Sequence, residues 1–307
     1  MSAILTRENC MVFFGITHTD EDAPKKEENM SKKVGYFGPA GTYTEEAALR
    51  YDPEAQLEAF PTVAAVGHAV FSCATDEGVV PIENSLEGSV THTLDLLISQ
   101  SGLFICKEVV LPIDHYLMAK PGTNLADVQV VYSHPQALAQ CRGFLELRLP
   151  NVQPMASLST VAGVVDMQRS VVPAAAIAPR RAAELHGAEI IASSIQDHSN
   201  NVTRFVVLAR NDHSPTGKDK TSICFSYDQD APSLLYHALG EFALRNINLA
   251  KVESRPTKEM LGRYIFLVDC DGHRTDPSVA AALAGLRRQA SMVKVLGSYP
   301  RCENGKS

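Results

Sequence analysis

From Lys33 to Ala209, short apolar runs that are typical of strands alternate with stretches that have the spacing of helices. Strands that alternate with helices favour an α/β fold built on largely parallel sheets. A second series of strand and helix candidates begins near Pro112. The pattern therefore predicts an α/β fold whose elements form two lobes.

A different order of elements follows the polar segment 211–220, which is typical of a linker. After it, the runs predict a strand, a helix, two strands, a helix and a strand. This βαββαβ order predicts a ferredoxin-like domain over 221–300, with a short tail at 301–307. Residues 1–32 become polar and charged after one short apolar run, and we expect them to form a flexible N-terminal extension.

The composition excludes several classes of function. The net charge is −7 and the sequence has no long Lys/Arg run, so nucleic acid and acidic membrane surfaces are not expected partners. The seven cysteines have no C-x-x-C spacing, which argues against a zinc site and favours a reduced, cytoplasmic protein. No run approaches the roughly 20 apolar residues of a membrane span.

Polar residues follow four predicted strands at points where a helix is predicted to begin. The residues in question are Thr42, Glu83, Asn84, Ser85, Ser133, His134, Gln136, Ser159 and Thr160. Such junctions present free backbone N–H groups and the positive end of a helix dipole, which suit a carboxylate. Each junction alone could be an ordinary turn or helix cap. Together they predict a cleft lined with neutral donors for a small dianion.

A further motif, Asn200 to Phe205, leads into the last strand of the α/β region. It contains Arg204, whose planar fork is suited to grip an anion, although a surface arginine paired with a glutamate would have the same pattern. The sequence has no cluster with metal-ligand spacing and no glycine-rich phosphate loop. We therefore expect neither a metal nor a cofactor.

In order and spacing, these motifs resemble the prephenate dehydratase family over roughly Lys33 to Arg210. The matching segments are 38–43, 81–85 with 88–90, 133–141, 195–197 and 201–205. A second block, Asn246 to Pro256, is similar to the ACT domain that regulates this family. Five separated motifs in one order are hard to produce by chance.

The resemblance implies a catalytic domain at 33–210 that has two lobes, like a periplasmic binding protein. The first lobe would comprise 33–112 and 195–210, and the second 113–194, with the active site between them. The domain at 221–300 would be the ACT domain. This architecture requires the chain to cross between the lobes twice, near Pro112 and near Ile195.

The family's reaction removes carbon dioxide and water from prephenate and gives phenylpyruvate, a step of L-phenylalanine biosynthesis that needs no cofactor or metal. By resemblance, Thr203 lies beside the departing hydroxyl as a hydrogen-bond donor, and Arg204 and Phe205 complete the catalytic motif. Glu83 is chemically the better acid, and we rank it second. The residues expected to hold the carboxylates and the hydroxyl of the substrate are Thr42, Asn84, Ser85, Ser133, Gln136 and Thr160.

For the ACT domain, the resemblance implies allosteric inhibition by L-phenylalanine at an interface of a homodimer or homotetramer. The expected effector pocket combines a segment before the first helix with a Glu-Ser-Arg-Pro turn. Its residues are Ser233, Leu234, Leu235, Glu253, Ser254, Arg255 and Pro256. Ser233 and Leu234 replace a glycine and an alanine that are usual in the family, so the domain could serve only for dimer packing.

Other functions fit parts of the pattern. An arogenate dehydratase would share the fold and bind a substrate with an amino-acid side chain. A related decarboxylase departs from the Thr-Arg-Phe motif, which this chain keeps at 203–205. A binding or sensing protein without turnover would use the same two lobes, but it leaves the paired Thr203 and Arg204 unexplained.

Overall fold

A computed structural model gives the fold of the chain and describes residues 31–229, 231–257 and 263–302. The predicted extension, 1–32, and the predicted tail therefore lie largely outside the described residues. Within these ranges, no helix is long and apolar enough to cross a membrane.

The first lobe is a six-stranded sheet with helices packed against it. Its elements are β1 (Lys33–Phe37), α1 (Tyr43–Tyr51), β2 (Gln56–Phe60), α2 (Val63–Phe71), β3 (Glu77–Asn84), β4 (Gly88–Ser89), α3 (Thr91–Ser99) and β5 (Phe104–Pro112), joined by β11 (Val202–Ala209) from later in the chain. The strand order is β2-β1-β3-β11-β5, and β4 pairs with β3. β11 runs antiparallel to both of its neighbours, so a late segment of the chain completes the centre of an early sheet.

The second lobe is a five-stranded sheet with the order β10-β6-β9-β7-β8. Its elements are β6 (Tyr116–Ala119), a 3-10 turn (Leu125–Asp127), β7 (Val130–Ser133), α4 (Pro135–Gln140), α5 (Arg142–Arg148), β8 (Gln153–Ala156), α6 (Thr160–Arg169), β9 (Ala174–Ala178), α7 (Arg180–His186) and β10 (Glu189–Ala192). The chain passes between the lobes after β5 and again before β11. The predicted two-lobed α/β architecture is confirmed.

The two crossing segments lie side by side. The backbone N–H of Ile113 donates to the carbonyl of Asn201 at 2.8 Å, and that of Ile195 donates to the carbonyl of His115 at 3.0 Å. The side chain of Gln196 accepts a bond from the backbone N–H of His115 at 3.0 Å. These bonds hold the base of the space between the lobes.

Three helices begin at a hydroxyl residue that accepts a bond from the backbone N–H three positions on. The acceptors are Thr42, Thr62 and Ser159, at 3.5, 3.0 and 2.9 Å. Such caps satisfy donors that the first turn of a helix leaves free. Two of these caps, Thr42 and Ser159, also bring polar groups to the space between the lobes.

The C-terminal domain, residues 219–300, is a four-stranded antiparallel sheet covered by two helices. Its elements are β12 (Asp219–Ser226), α8 (Leu234–Ala243), β13 (Leu249–Pro256), β14 (Tyr264–Asp271), α9 (Pro277–Arg287) and β15 (Met292–Pro300). This is the predicted ferredoxin-like order, and the sheet order is β13-β14-β12-β15. One sheet face packs on the helices through a buried cluster that includes Phe225, Val268 and Phe242.

The opposite face of this sheet packs directly on the first lobe. Cys224 and Leu296 belong to the same buried cluster as Ile105 and Val206. Gly297 has a φ of 152°, and a Cβ there would lie 2.2 Å from the carbonyl oxygen of Ile105. Since any side chain would collide with this backbone, glycine permits the close approach of β15 to β5. The two domains therefore share one core.

Several elements differ from the sequence prediction. The helix that the sequence predicts after Ser133 is divided into α4 and α5 at Cys141, where the second crossing segment meets it. The Asp197 N–H donates to the Gln140 carbonyl at 2.7 Å, and the Asp197 carboxylate accepts from the Gly143 N–H at 3.1 Å. The helix α7 and the strand β10 were not predicted, because each is too short to show a clear period. The turn predicted at 253–256 is wrong, since these residues continue β13.

Candidate active site

A cleft of about 330 Å³ lies between the two lobes, where four helices begin. The caps of α1, α3, α4 and α6 all line it: Thr42, Val90, His134 and Ser159. Among the described residues that line it there is no lysine, arginine, aspartate or glutamate. Helix N-termini present N–H groups and a positive dipole end, so this cleft attracts anions with neutral groups alone.

Backbone groups fix the orientation of Asn84, which ends β3 in the cleft wall. Its Oδ1 accepts from the backbone N–H groups of Leu86 and Glu87 at 2.9 and 3.0 Å. Its Nδ2 must therefore face the neighbouring strand, where it donates to Thr203 Oγ1 at 2.9 Å. Because Thr203 accepts this bond, its own proton stays available for a group in the cleft.

Hydrogen bonds link the side-chain amides of Asn84, Asn201 and Gln140 into a chain, and the orientation of Asn84 sets that of the next amide. Asn84 Nδ2 also donates to Asn201 Oδ1 at 2.8 Å, and Asn201 Nδ2 donates to Gln140 Oε1 at 3.2 Å. The same Gln140 oxygen lies 2.9 Å from His115 Nε2, so the hydrogen-bond pattern places a proton on that nitrogen. Burial lowers the pKa of His115, and this outweighs the bond to Gln140 and the charge of Asp114 that raise it.

This amide chain joins the two lobes. Gln140 belongs to α4 in the second lobe, whereas Asn201 precedes β11 in the first, and His115 follows the first crossing. The ring of Tyr43 in α1 meets the His115 ring edge-on, with centroids 6.1 Å apart, and its hydroxyl donates to the carbonyl of Asp114. None of these four side chains was among the predicted site residues. His115 and Asn201 lie close to the predicted crossings, and Tyr43, Gln140 and Asn201 fall within the matching segments 38–43, 133–141 and 201–205, so the sequence held signals that could have identified them.

Most of the residues predicted to contact substrate or complete the catalytic motif do line the cleft. They are Thr42, Asn84, Gln136, Thr160, Thr203 and Phe205. Thr203 and Phe205 point to the same side because alternate residues of a strand share a face. Thr203 is 8% exposed and Phe205 1%, so both form the floor of the cleft rather than its rim.

Two predicted substrate-binding serines do not line the cleft. Ser133 is fully buried, and its hydroxyl donates to the carbonyl of Ile177 at 2.6 Å within the second lobe. Ser85 Oγ accepts from the backbone N–H of Val202 at 3.0 Å. Both prediction errors have the same cause: a short hydroxyl side chain near a strand end satisfied a backbone group instead of facing the ligand.

Arg204 and Glu83 also lie outside the cleft, and the interpretation of Arg204 as a clamp on a substrate carboxylate is corrected. Strand alternation turns Arg204 away from Thr203. Phe205 pairs with Pro81 and Arg204 pairs with Glu83, so Ile82 is an extra residue of β3 that forms a bulge. The bulge places Glu83 on the same face of the sheet as Arg204. Arg204 Nη2 lies 3.0 Å from Glu83 Oε2, so the predicted acid is held in an ion pair that faces the C-terminal domain.

The predicted effector residues lie at two separate places in the C-terminal domain. Ser233, Leu234 and Leu235 line a pocket of about 230 Å³ beside β14. Arg255 and Pro256 line a different groove, next to α3 of the first lobe. Among the residues that the structure describes, the two elements do not line one common pocket. Arg255 Nη2 lies 3.0 Å from Asp95 Oδ1, so this side chain also contacts the catalytic region.

In the part of the chain that the structure describes, no group of three or more His, Cys, Asp or Glu side chains could hold a metal ion. The groups that do line the cleft are amides, hydroxyls, imidazoles, aromatic rings and helix N-termini.

Comparison with known proteins gives a consistent result. The chain matches the family described as PDT, prephenate dehydratase, over residues 34–213. A bifunctional chorismate mutase/prephenate dehydratase of Aquifex aeolicus is 42% identical over 270 residues, which cover 88% of this chain and 74% of the relative. A prephenate dehydratase of Corynebacterium glutamicum is 38% identical over 280 residues, which cover 87% of each chain.

Among solved structures, prephenate dehydratase from Arthrobacter aurescens in complex with L-Phe is similar, with a TM-score of 0.82 and 37% identity. The match covers 88% of this chain and 90% of that chain, so it includes both lobes and the C-terminal domain. The matched profile and these relatives agree with the motifs that line the cleft. The chain therefore belongs to the prephenate dehydratase family.

Proposed function

We propose that the protein converts prephenate to phenylpyruvate, carbon dioxide and water in the cleft between the lobes. The observation that carries this proposal is the directed hydroxyl of Thr203. It accepts a bond from Asn84 at 2.9 Å and so presents its proton to a cleft that has helix N-termini on several sides. A dianion with a departing hydroxyl group matches this arrangement.

The reaction needs the ring carboxylate to leave and the ring hydroxyl to depart. The carbon–carbon bond to the carboxylate breaks, its electron pair enters the ring, and the carbon–oxygen bond on the opposite side breaks. Hydroxide leaves and becomes water when it gains a proton from solvent. The Thr203 O–H stabilises the negative charge that develops on the departing oxygen. Aromatisation supplies the driving force, so positioning and electrostatics carry the rate.

Apolar side chains complete the site. Phe37, Ile113, Leu158 and Phe205 line the cleft among the polar groups. They suit the ring of the substrate, whereas the helix starts suit its carboxylates. The low polarity of these walls strengthens each hydrogen bond to developing charge.

The lining of the cleft favours prephenate over arogenate. Arogenate carries an ammonium group where prephenate has a keto group. A buried ammonium requires a carboxylate or several acceptors, and no aspartate or glutamate occurs among the described cleft residues. We therefore expect prephenate to be the preferred substrate.

The purified protein would be incubated with prephenate and, separately, with arogenate, and phenylpyruvate and phenylalanine would be measured. We expect phenylpyruvate from prephenate, with a kcat/KM at least about tenfold above that for arogenate. Preference for arogenate would replace the substrate assignment. Binding of prephenate without turnover would favour the sensing protein instead.

We also propose that L-phenylalanine binds the C-terminal domain, which we interpret as an ACT domain, and inhibits the enzyme. The relative from Arthrobacter aurescens supports this, since its structure contains L-Phe. The two predicted effector elements lie apart within one chain, so a second subunit would have to bring them together. This favours a homodimer or homotetramer, and a cytoplasmic location is part of the same proposal.

Ser233 gives a test of this regulation. It has a φ of 70°, a left-handed conformation that glycine adopts more readily. Calorimetry with phenylalanine, tyrosine and tryptophan would identify the effector, with the activity measured at each saturating concentration. If phenylalanine fails and another amino acid binds, Ser233→Gly with Leu234→Ala should restore preference for phenylalanine. Binding of none of them would contradict the regulatory proposal and leave the catalytic one intact.

A further inference from the structure

A group of charged side chains lies, mostly buried, between the first lobe and the C-terminal domain, directly behind the cleft. We call it the interface ion cluster; its members are Glu83, Glu108, Arg204, Lys220, Lys251 and Asp269. The guanidinium of Arg204 is at its centre. It lies 3.0 Å from Glu83, 3.3 Å from Glu108 and 3.0 Å from Asp269.

Every strand of the C-terminal sheet contributes a contact to this region. Lys220 of β12 lies 2.8 Å from Glu108, and Lys251 of β13 lies 3.0 Å from Glu83. Asp269 belongs to β14. From β15, the Tyr299 hydroxyl accepts from Arg204 Nη1 at 3.4 Å. The C-terminal sheet therefore surrounds the arginine from one side while β3, β5 and β11 hold it from the other.

The cluster is fixed as well as charged. Ser222 Oγ donates to Asp269 Oδ1 at 2.6 Å and lies 2.6 Å from the Tyr299 hydroxyl. Burial opposes the charge of Arg204, but the tyrosine and the carboxylates around it hold its pKa above the ordinary value. The arginine thus stays charged and keeps one geometry.

The cleft is one residue away along two paired strands. Thr203 pairs with Asn84, and Arg204 pairs with Glu83, in the register of β11 with β3. The side chains of Thr203 and Asn84 face the cleft, whereas those of Arg204 and Glu83 face the interface ion cluster. Because Arg204 and Glu83 are held by several charged partners, a shift of the C-terminal sheet would act on the same backbone that carries Thr203 and Asn84.

We propose that Arg204 is a positioning residue through which the C-terminal sheet sets the place of the Thr203 hydroxyl in the cleft. The buried ion pairs alone are weak evidence for a stabilising role, because the desolvation of charges offsets much of their attraction. The inference rests on the proposed function, since it explains how an effector in the C-terminal domain reaches the reaction. An effector that prefers one position of this sheet would change kcat through the same contact.

The test uses Asp269→Asn, which removes one carboxylate from Arg204 without changing any residue of the cleft. Tyr299→Phe is a milder second variant, since it removes only the hydroxyl beside the same guanidinium. Lys294→Met is the matched control. Lys294 Nζ joins the same two domains by donating to the carbonyls of Leu97, Ile98 and Gln100 at 2.7 to 2.9 Å, and none of these contacts involves Arg204.

The full-length wild type would first be assayed with prephenate, which tests the proposed function by itself. The ratio of variant to wild-type kcat then tests the inference. We expect Asp269→Asn to lower kcat by about 10- to 100-fold with KM changed less than about threefold, because misplaced catalytic groups slow the chemical step. Tyr299→Phe should change kcat in the same direction. Lys294→Met should lower the melting temperature and leave kcat within about twofold.

Two results would overturn the inference. If Asp269→Asn and Tyr299→Phe both keep wild-type kcat while the melting temperature falls, the cluster only joins the domains. If Lys294→Met lowers kcat as much as Asp269→Asn does, general docking of the domains, and not Arg204, sets the rate.

Discussion

The two faces of the paired strands β3 and β11 are chemically opposite. The cleft face presents Asn84 and Thr203, which are neutral, whereas the other face presents Glu83 and Arg204, which are charged and paired. The residues alternate along the same two strands, so a motif that is continuous in sequence is divided in space. Neighbouring residues of the Thr-Arg-Phe segment therefore have different roles, because Thr203 faces the cleft and Arg204 faces the C-terminal domain.

The difference also has an electrostatic reason. A fixed arginine in the cleft would bind the substrate and the transition state alike, which lowers KM without accelerating the chemistry. Oriented hydroxyl and amide dipoles can instead be aimed at charge that develops only during the reaction. On the opposite face, the charges neutralise one another and need no ligand.

The largest expected effect is on the cleft face, at Thr203. Thr203→Val has nearly the same shape and lacks the hydroxyl, so we expect kcat for prephenate to fall by about 10²- to 10³-fold, as for loss of a donor to developing charge. Thr203→Ser keeps the hydroxyl and should retain most of the activity. Steady-state kinetics of the two variants provide the measurement. A change confined to KM in Thr203→Val would assign the hydroxyl to ground-state binding.

A second prediction tests the direction of the hydrogen bond to Thr203. In Asn84→Asp, the backbone N–H groups of Leu86 and Glu87 still orient the side chain, but an oxygen then faces Thr203. The threonine must donate to it, and its proton is lost to the substrate, so kcat should fall by about 10²-fold.

Asn201→Asp is the matched control for the added charge. It introduces a carboxylate at the next residue of the hydrogen-bonded amide chain and leaves the bond from Asn84 to Thr203 in place. We expect a raised KM from repulsion of the dianion and a kcat loss of less than about tenfold. Equal kcat losses in the two variants would show that charge, and not the direction of the hydroxyl, explains the first result.

The smallest effect concerns His115, at the end of the amide chain. Burial lowers its pKa below the ordinary 6.5. Well above pH 6.5, the His115 imidazole is neutral in both the folded and the unfolded protein. As pH falls below 6.5, the unfolded protein binds a proton at His115 more readily than the folded protein does. The wild type should therefore lose stability relative to His115→Gln between about pH 6.5 and pH 5, by at most about 1.4 kcal/mol per pH unit.

Thermal unfolding of both proteins from about pH 8 to pH 5 would measure this difference. Parallel curves would mean that His115 accepts its proton freely in the folded protein. The amide chain would then not be fixed in one direction from this end.

The sequence was sufficient for the parts of the site that depend on local structure. Thr42, Gln136 and Thr160 lie where a strand is followed by a helix, and each such junction could be read from strand and helix signals. The period of two also separates Thr203 from Arg204. This alternation alone does not show which of the two side chains faces the cleft, because that depends on which elements pack against each face of the sheet.

The remaining features depend on contacts between distant segments. The bulge at Ile82, which moves Glu83 out of the cleft, has no local signal. The break at Cys141 is stabilised by Asp197, which is more than one element away in the chain. Packing of the C-terminal sheet on the first lobe also required the three-dimensional structure, because the face of β12 that carries Lys220, Ser222 and Cys224 is buried but has no apolar pattern in the sequence.

A double-mutant cycle of Thr203→Val and Asp269→Asn shows whether the charged face acts on the reaction only through the cleft face. The measured quantity is kcat for prephenate in the four proteins. We expect Asp269→Asn to lower kcat in the wild-type background but to change it by less than about twofold in the Thr203→Val background. If the two substitutions lower kcat by independent, multiplicative factors, the ion cluster does not act through Thr203.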